Sequence, residues 1–248
     1  MFSKYLNIRL IASTTYVWIF IGILLSGCSD PEVKPVDKLS PYQKQVLDYF
    51  TDVALGFEFG SALQVTRKWQ REIKVFVGGD KTIEMMTELD EIIAELESLS
   101  DQLDISITAD TLQSNFYIYL GTGSGFVERF PPAQQHVASN WGLFYVYFNG
   151  ANEMTGAVMY VDLVRTTQAE ARRHLLREEF TQALGLARDS NLYPASIFYS
   201  LWTTTTEYAP IDRDLIRLLY HPDVATGLGE SAVRAQLPDI ILELNIGS

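Results

Sequence analysis

The sequence predicts a single domain of the α/β class that occupies residues 41–248. The main observation is the order of the apolar patterns between residues 73 and 186, which predict a strand, a helix, four strands and another helix. Without the first 27 of its 248 residues the chain keeps 248 − 27 = 221, enough for one well-buried domain, and its hydrophobic fraction of 47% is typical of globular proteins. No repeat of fixed period occurs in the sequence, so a solenoid is excluded.

The first 27 residues have the features of a secretion signal. Lys4 and Arg9 precede an apolar run that extends to Leu25, and no acidic residue interrupts it. The run ends in Leu25-Ser26-Gly27-Cys28, which resembles the bacterial lipobox. This resemblance implies that residues 1–27 are a lipoprotein signal peptide and that Cys28, once acylated, is the mature N-terminus. An uncleaved signal anchor with an incidental cysteine is the alternative.

Lipidation would fix the protein to a membrane. Several acyl chains would anchor it permanently, since each buried methylene contributes about 0.8 kcal/mol. Cys28 is the only cysteine, so none remains for a disulfide or for thiol catalysis. Ser29 follows it, where lipoproteins kept in the inner membrane often carry Asp, and the resemblance therefore implies an outer-membrane protein that faces the periplasm. Residues 28–40 contain two prolines and five charged residues and predict a lipidated tether.

The mature chain is strongly acidic. Loss of residues 1–27 removes two of the 19 basic residues and leaves 17 against 31 acidic ones, a net charge of −14. Such a chain does not attract nucleic acid or anionic lipid headgroups. A cationic peptide or protein is a more natural partner, although acidity also serves simply to keep a surface soluble.

The domain is predicted to begin with a helix at residues 41–56. Ser40, Pro41 and Gln43 have the spacing of a capping box with proline at the first helical position. A strand follows, in which Ile73, Val75 and Val77 alternate with other residues before two glycines.

An acidic amphipathic helix is predicted next, at about residues 82–99. Its apolar residues have helical spacing and are assigned to the core. Glu84, Glu88, Glu91 and Glu95 lie between them and are expected to form a solvated face.

Four further strands and a helix complete this part of the chain. The strands are predicted at residues 105–109, 116–120, 143–148 and 157–163. Gly123-Ser124-Gly125 predicts a flexible loop, because the lysine of a phosphate-binding loop is missing. His136 is expected to be incidental, and Thr167 with Glu170 predicts a capping box for the next helix.

That helix carries the most informative motif. Glu178-Glu179-Phe180-Thr181-Gln182-Ala183-Leu184-Gly185-Leu186 resembles the zinc-binding helix of the metzincin metallopeptidases, His-Glu-x-x-His-x-x-Gly-x-x-His. Glu179 and Gly185 match the motif, whereas Glu178, Gln182 and Arg188 stand at the three histidine positions. Arginine cannot ligate zinc, and catalytic zinc sites need three protein ligands and a water. The resemblance therefore implies the fold without its usual metal.

The resemblance continues towards the C-terminus. Ala195 to Tyr199 stand where metzincins have their methionine turn, with Phe198 in place of methionine. Residues 212–220 predict the last helix, which Pro222 ends. The stretch 41–248 is also similar to an uncharacterised bacterial domain family with the same Glu-Glu-x-x-Gln-x-Leu-Gly-Leu signature. These resemblances imply a zincin-like fold with a mixed, mostly parallel, twisted sheet of about five strands, packed on the motif helix and the acidic helix.

The charged residues of the motif allow two arrangements. In the first, Arg188 replaces the zinc ion and forms a salt bridge with Glu178 or Glu179 at the cleft floor. In the second, His174, one turn before Glu178, binds an atypical metal together with Glu178 and His221. The first is favoured, because isolated histidines at such positions are more often surface or capping groups. Glu179 is then a candidate catalytic residue with no metal-bound water to deprotonate.

The expected function follows from the anchor and the altered motif. We expect an outer-membrane lipoprotein, held by the lipid on Cys28, whose domain binds a peptide or an envelope protein in the former substrate cleft. No catalysis, cofactor, metal or nucleic acid is expected. The alternatives are an active metallopeptidase with His174, Glu178 and His221 as ligands, and a structural envelope lipoprotein.

Overall fold

The computed structural model of the protein describes residues 35–57 and 61–247. The signal peptide, Cys28 and the first part of the predicted tether lie outside the described residues. None of the helices in the described ranges is long and apolar enough to cross a membrane.

The described residues form six α-helices, six strands and two short 3-10 helices. The α-helices are α1 (Pro41–Val53), α2 (Ile83–Leu99), α3 (Gly123–Arg129), α4 (Ala169–Gln182), α5 (Pro210–Leu219) and α6 (Glu230–Glu243). The strands are β1 (Lys68–Trp69), β2 (Ile73–Gly79), β3 (Ile105–Ile107), β4 (Phe116–Gly121), β5 (Gly142–Phe148) and β6 (Glu153–Asp162). The 3-10 helices are Pro35–Lys38 and Pro131–Gln135.

All the strands belong to one mixed sheet. β3, β2, β4 and β6 are parallel neighbours in that order, and β1 pairs in parallel with the start of β6. β5 runs antiparallel to β6, from Gly142 opposite Val161 to Phe148 opposite Met154. The predicted mostly parallel α/β fold is confirmed, with six strands in the described part of the chain. β1 was not predicted because a strand of two residues is too short to show alternation.

The sheet is covered on both faces. Alternate residues of β4 point in opposite directions, so Phe116 and Ile118 join the main core while Tyr119 belongs to a smaller cluster with Phe126 of α3. The motif helix α4 lies on the main-core face, where Phe180 stacks on Phe116 with ring centroids 5.0 Å apart. Such a contact adds about 0.5–1.5 kcal/mol to the burial of the rings. It fixes α4 against the sheet.

The glutamates of α2 form the predicted solvated face only in part, because Glu91 is exposed whereas Glu88 is buried. Glu88 is only 1% exposed, and its carboxylate accepts hydrogen bonds from Arg173 (2.5 Å) and Arg177 (2.9 Å) of α4. The other pairs of this interface are Glu84 with Arg172, Glu91 with Arg173, Glu95 with Arg177 and Glu95 with Arg213. The helical period separates charged from apolar positions correctly. It does not reveal that another helix supplies arginines to the charged side.

Three local predictions are wrong. Residues 123–125 begin α3 instead of forming a loop, because the Thr122 side chain accepts the N–H of Gly125 and caps the helix. Thr167 does not cap α4, whose N-cap residue is Gln168 and has no side-chain cap bond. The helix predicted as the last is followed by α6, in which Pro238 interrupts the expected helical pattern.

Candidate functional site

The motif helix α4 presents two different faces. Arg173 and Arg177 point towards α2, as described above. His174, Glu178 and Gln182 follow one another at intervals of four residues and therefore share the other face. All three line a cleft of about 730 Å³. The structure thus places Glu178 and Gln182, the first two of the positions that resemble the zinc motif, in a cleft.

The edge strand β5 forms the facing wall of the cleft. Every residue from Trp141 to Val146 contributes to the lining. Because successive side chains of a strand point to opposite faces, a continuous run of lining residues shows that the strand presents its edge to the cleft. Within the described ranges β5 pairs only with β6. No other described strand therefore covers the outer edge of β5, and such an edge is a template for a further strand.

Aromatic side chains form the mouth of the cleft. Trp141 and Trp202 meet edge to face with ring centroids 5.3 Å apart. They are 40% and 57% exposed, and the neighbouring Leu201 is also exposed. Exposed apolar side chains grouped around a cleft are typical of binding sites.

Glu179, the candidate catalytic residue, is buried in the cleft wall. Its carboxylate lies against the backbone of Gly142 at the start of β5, so closely that a Cβ atom on residue 142 would overlap it. A glycine is therefore needed at this point of the edge strand for Glu179 to keep its position.

Glu178 is paired with a histidine. The Nδ1 atom of His174 lies 2.7 Å from the carbonyl oxygen of Thr205 and donates to it, so Nε2 faces the carboxylate of Glu178 at 3.3 Å. Nε2 can donate to Glu178 only when the ring is protonated. Burial alone would lower the pKa of His174, but the hydrogen bond and charge of Glu178, with smaller contributions from Thr205 and Asp189, raise it overall.

The predicted salt bridge of Arg188 is wrong. The ion pairs among the described residues include none between Arg188 and either Glu178 or Glu179, and Arg188 does not line the cleft. Its backbone N–H instead bonds to the carbonyl of Val53 at 3.2 Å. The chain turns at Gly185, whose φ is +123° and where a Cβ would collide with the backbone. After this turn, Arg188 lies outside the cleft lining, and the residue that follows it, Asp189, lies in the lining.

That next residue, Asp189, was missed by the sequence analysis. It lines the cleft, and its carboxylate accepts a hydrogen bond of 2.5 Å from the amide of Gln182. The only signal for Asp189 in the sequence was its place directly after Arg188, which stands at the third histidine position of the motif. Local spacing alone could not decide which of the two neighbours faces inward.

The alternative metal cluster of His174, Glu178 and His221 does not form. His221 is absent from the cleft lining, and its Nε2 atom lies 3.8 Å from Glu243 of α6. In the described part of the chain, only His221, Asp223 and Glu243 bring three potential ligand atoms within 4.8 Å of one another. By contrast, His136, which was expected to be incidental, does line the cleft.

The segment 195–199, which stands in place of the methionine turn, is fixed by hydrogen bonds to a buried aspartate of α5. Asp212 of α5 is fully buried and accepts hydrogen bonds from the Ser196 hydroxyl (2.6 Å) and from the N–H groups of Ile197 (3.0 Å) and Ala209 (2.9 Å). Burial raises the pKa of Asp212, while these bonds oppose that effect. Phe198 is buried in the main core, so the segment that continues into the cleft wall is fixed in place.

Comparisons with known proteins give a matching family model and several similar solved structures. The family model described as "Protein of unknown function (DUF2927)" matches residues 43–239. No curated protein matches the sequence. Two structures of myroilysin are similar at 12% identity; one has a TM-score of 0.40 and covers 68% of this chain and 94% of its own. The other has a TM-score of 0.38 and covers 62% and 95%.

Proposed function

The chain belongs to the DUF2927 family of proteins of unknown function, and we propose that it is a lipoprotein whose zincin-like domain binds a peptide or protein segment without cleaving it. In this proposal the lipid on Cys28 anchors the chain in the outer membrane, and the cleft between β5 and α4 faces the periplasm. The anchor rests on the lipobox-like residues before Cys28.

The open edge of β5 is the observation that carries the binding proposal. An extended peptide can add to such an edge as a further strand, with main-chain hydrogen bonds for affinity and side-chain pockets for specificity. The cleft beside this edge has a volume in the range that small-ligand sites occupy. An open cleft with exposed tryptophans at its mouth also favours binding over a purely structural role in the envelope.

The partners of the motif residues favour binding without catalysis. Glu178 contacts His174, and Gln182 donates to Asp189, so both former ligand positions on α4 already have protein partners. The third position, Arg188, lies outside the cleft lining. A peptidase of this type needs a metal-bound water for Glu179 to activate, and the described residues around Glu179 do not bring together the three-ligand set that zinc prefers.

Hydrogen exchange tests this function on the full chain purified in detergent. We expect extended synthetic peptides of varied charge to slow exchange at the amides of β5. The strand β3 forms the opposite edge of the sheet and serves as an internal control that should not change. Equal protection of β3, or no protection of β5 by any peptide, would contradict the proposed groove.

A peptidase assay on the same preparation distinguishes the alternative. We expect no peptide cleavage with or without added zinc, and no stoichiometric zinc by elemental analysis. Zinc-dependent cleavage that disappears in Glu179→Gln would establish the active metallopeptidase instead.

A further inference from the structure

We propose that Arg165 is a positioning residue, which holds one part of the cleft wall in the place that ligand binding needs. This inference rests on the proposed binding function and adds the residue that organises the groove. The part concerned is the wall segment, residues 136–141, between the 3-10 helix Pro131–Gln135 and β5. Ser139, Asn140 and Trp141 of this segment line the cleft, and the edge strand to which the proposed ligand adds begins directly after them.

The backbone of the wall segment attaches it to the sheet at one end. The N–H groups of Val137, Ser139 and Asn140 bond to carbonyls no more than four residues earlier in the chain. Such bonds close tight turns without fixing them to a neighbouring element. The last residue, Trp141, accepts the N–H of Asp162 on β6 at 2.7 Å. The residues before Trp141 therefore depend on side chains for their position beside the sheet.

The guanidinium of Arg165 supplies the missing attachment. Its Nη1 atom donates to the carbonyl of Ala138 at 3.0 Å. Its Nη2 atom donates to the carbonyls of Val137 and Asn140 at 2.6 and 2.8 Å. A guanidinium carries five N–H donors in fixed directions, whereas the ammonium of lysine has three on one nitrogen. Arginine is therefore suited to gather three carbonyl groups of one short segment.

The guanidinium is itself held by β6. Its Nε atom donates at 2.8 Å to the carboxylate of Asp162, which is 2% exposed. Hydrogen bonds between charged partners are stronger than those between neutral ones. Nη2 also lies 2.7 Å from the hydroxyl of Tyr160, and this buried hydroxyl donates to the carbonyl of Asn140 at 2.6 Å. Arg165 thus connects the wall segment to the end of β6.

The start of α3 packs against the same network. The N–H of Gly123 donates to the carboxylate of Asp162 at 3.2 Å. A Cβ atom on residue 123 would lie 3.3 Å from the Cβ of Val137, closer than carbon atoms usually pack, and 3.6 Å from Nη2 of Arg165. The glycine therefore lets α3 approach the wall segment without displacing it.

Arg165 can influence binding without contact with a ligand, because it does not line the cleft. A groove that is already in place costs a ligand less ordering free energy than one that must form on binding. If the binding-competent arrangement is populated for only a fraction of the time, the apparent affinity falls by that fraction. A wall segment released from β6 should therefore bind peptides more weakly even though every lining side chain is unchanged.

The test compares Arg165→Met with the wild type, as full chains purified in detergent. Without a ligand, we expect the amides of the wall segment to exchange hydrogen at least about tenfold faster in the variant, which corresponds to a segment in place about one-tenth of the time. Amides of β2, in the interior of the sheet, should not change. Extended peptides with acetylated and amidated ends that protect β5 in the wild type should bind about tenfold more weakly.

Arg217→Met is the matched control. Arg217 also pairs with an aspartate three residues earlier, donates to a backbone carbonyl, that of Leu244, and has the same side-chain exposure of 32% as Arg165. It lies outside the cleft lining, so its loss should change neither exchange in the wall segment nor peptide affinity. Arg165→Lys keeps the charge beside Asp162 but cannot reach three carbonyls. It should weaken peptide binding as much as Arg165→Met while it unfolds closer to the wild-type midpoint.

The outcomes separate a positioning role from a merely structural one. Faster exchange throughout the sheet of Arg165→Met, β2 included, would show a general loss of stability and overturn the inference. Unchanged exchange in the wall segment, or faster exchange there with unchanged peptide affinity, would overturn it as well. If Arg165→Met does not fold, Arg165→Lys with wild-type peptide affinity would be decisive against it. Failure of every peptide to bind the wild type would instead overturn the binding function itself, and the role of Arg165 in binding with it.

Discussion

The ion pairs between α2 and α4 give the sharpest prediction for stability. Arg177 donates to Glu88 at 2.9 and 3.3 Å and to Glu95 at 2.7 Å, and its guanidinium lies 4.7 Å from the ring centroid of Tyr208. Both Arg177 and Glu88 are almost completely buried. Arg177→Met removes the guanidinium but keeps an aliphatic stem, so the change tests the charge more than the packing.

The expected cost follows from what remains around Glu88. Removal of one partner of a buried ion pair typically costs about 3–5 kcal/mol. Arg173 still binds Glu88 in the variant, so we expect about 3 kcal/mol, the lower end of that range. For a domain of this size that loss lowers the melting temperature by about 6–12 °C.

Chemical denaturation of the wild type and the variants measures this cost. Arg234→Met is the matched control, because Arg234 also makes two ion pairs, with Asp48 and Glu230, but its side chain is 40% exposed and both partners are exposed. The control should lose no more than about 1 kcal/mol. The double variant Arg177→Met, Glu88→Gln should recover part of the loss. Equal losses in Arg177→Met and Arg234→Met would show that the α2–α4 interface does not act as a buried ion pair.

Three further predictions concern other parts of the chain. Cys28→Ala should abolish acyl labelling and membrane retention or cause the precursor to accumulate, and normal acylation would contradict the lipoprotein assignment. The pKa of His174 is raised by folding, so its pairing with Glu178 should stabilise the fold fully below pH 6.5, the ordinary imidazole value. That stabilisation should be lost as the pH rises through the raised pKa, and a stability difference between wild type and His174→Gln that grows towards alkaline pH would refute this sign. Gly142→Ala should destabilise the fold by about 1–3 kcal/mol through overlap with Glu179, whereas Gly150→Ala, with open space around it, should change stability by less than about 0.5 kcal/mol.

Local patterns predicted the parts of the fold that depend on neighbouring residues. The capping box is confirmed, since Ser40 accepts the N–H of Gln43 and the Gln43 side chain accepts the N–H of Ser40. Alternation located β2, and the glycine in the motif identified the turn that follows α4. In each case the signal and the structure that it predicts lie within a few residues of each other.

Interactions between distant segments could not be predicted in the same way. Glu88 and Arg177 are 89 positions apart, and nothing in the period of either helix assigns one to the other. Whether Arg188 or Asp189 faces the cleft depends on the turn at Gly185. This turn packs against the backbone of Arg67, the residue directly before β1. The sequence therefore predicted the fold class and the turn after α4, but not which of these two neighbouring residues lines the cleft.

Contacts on the side of α4 that faces away from the cleft fix the position of this helix. They are the Arg177 ion pairs, the stacking of Phe180 on the sheet and the hydrogen bond of 2.6 Å between Thr181 and Tyr208. Because these contacts join α4 to α2, to the sheet and to the segment that carries Tyr208, the helix cannot shift without breaking several buried interactions. The residues of α4 that line the cleft, His174, Glu178 and Gln182, are therefore positioned by the far side of their own helix.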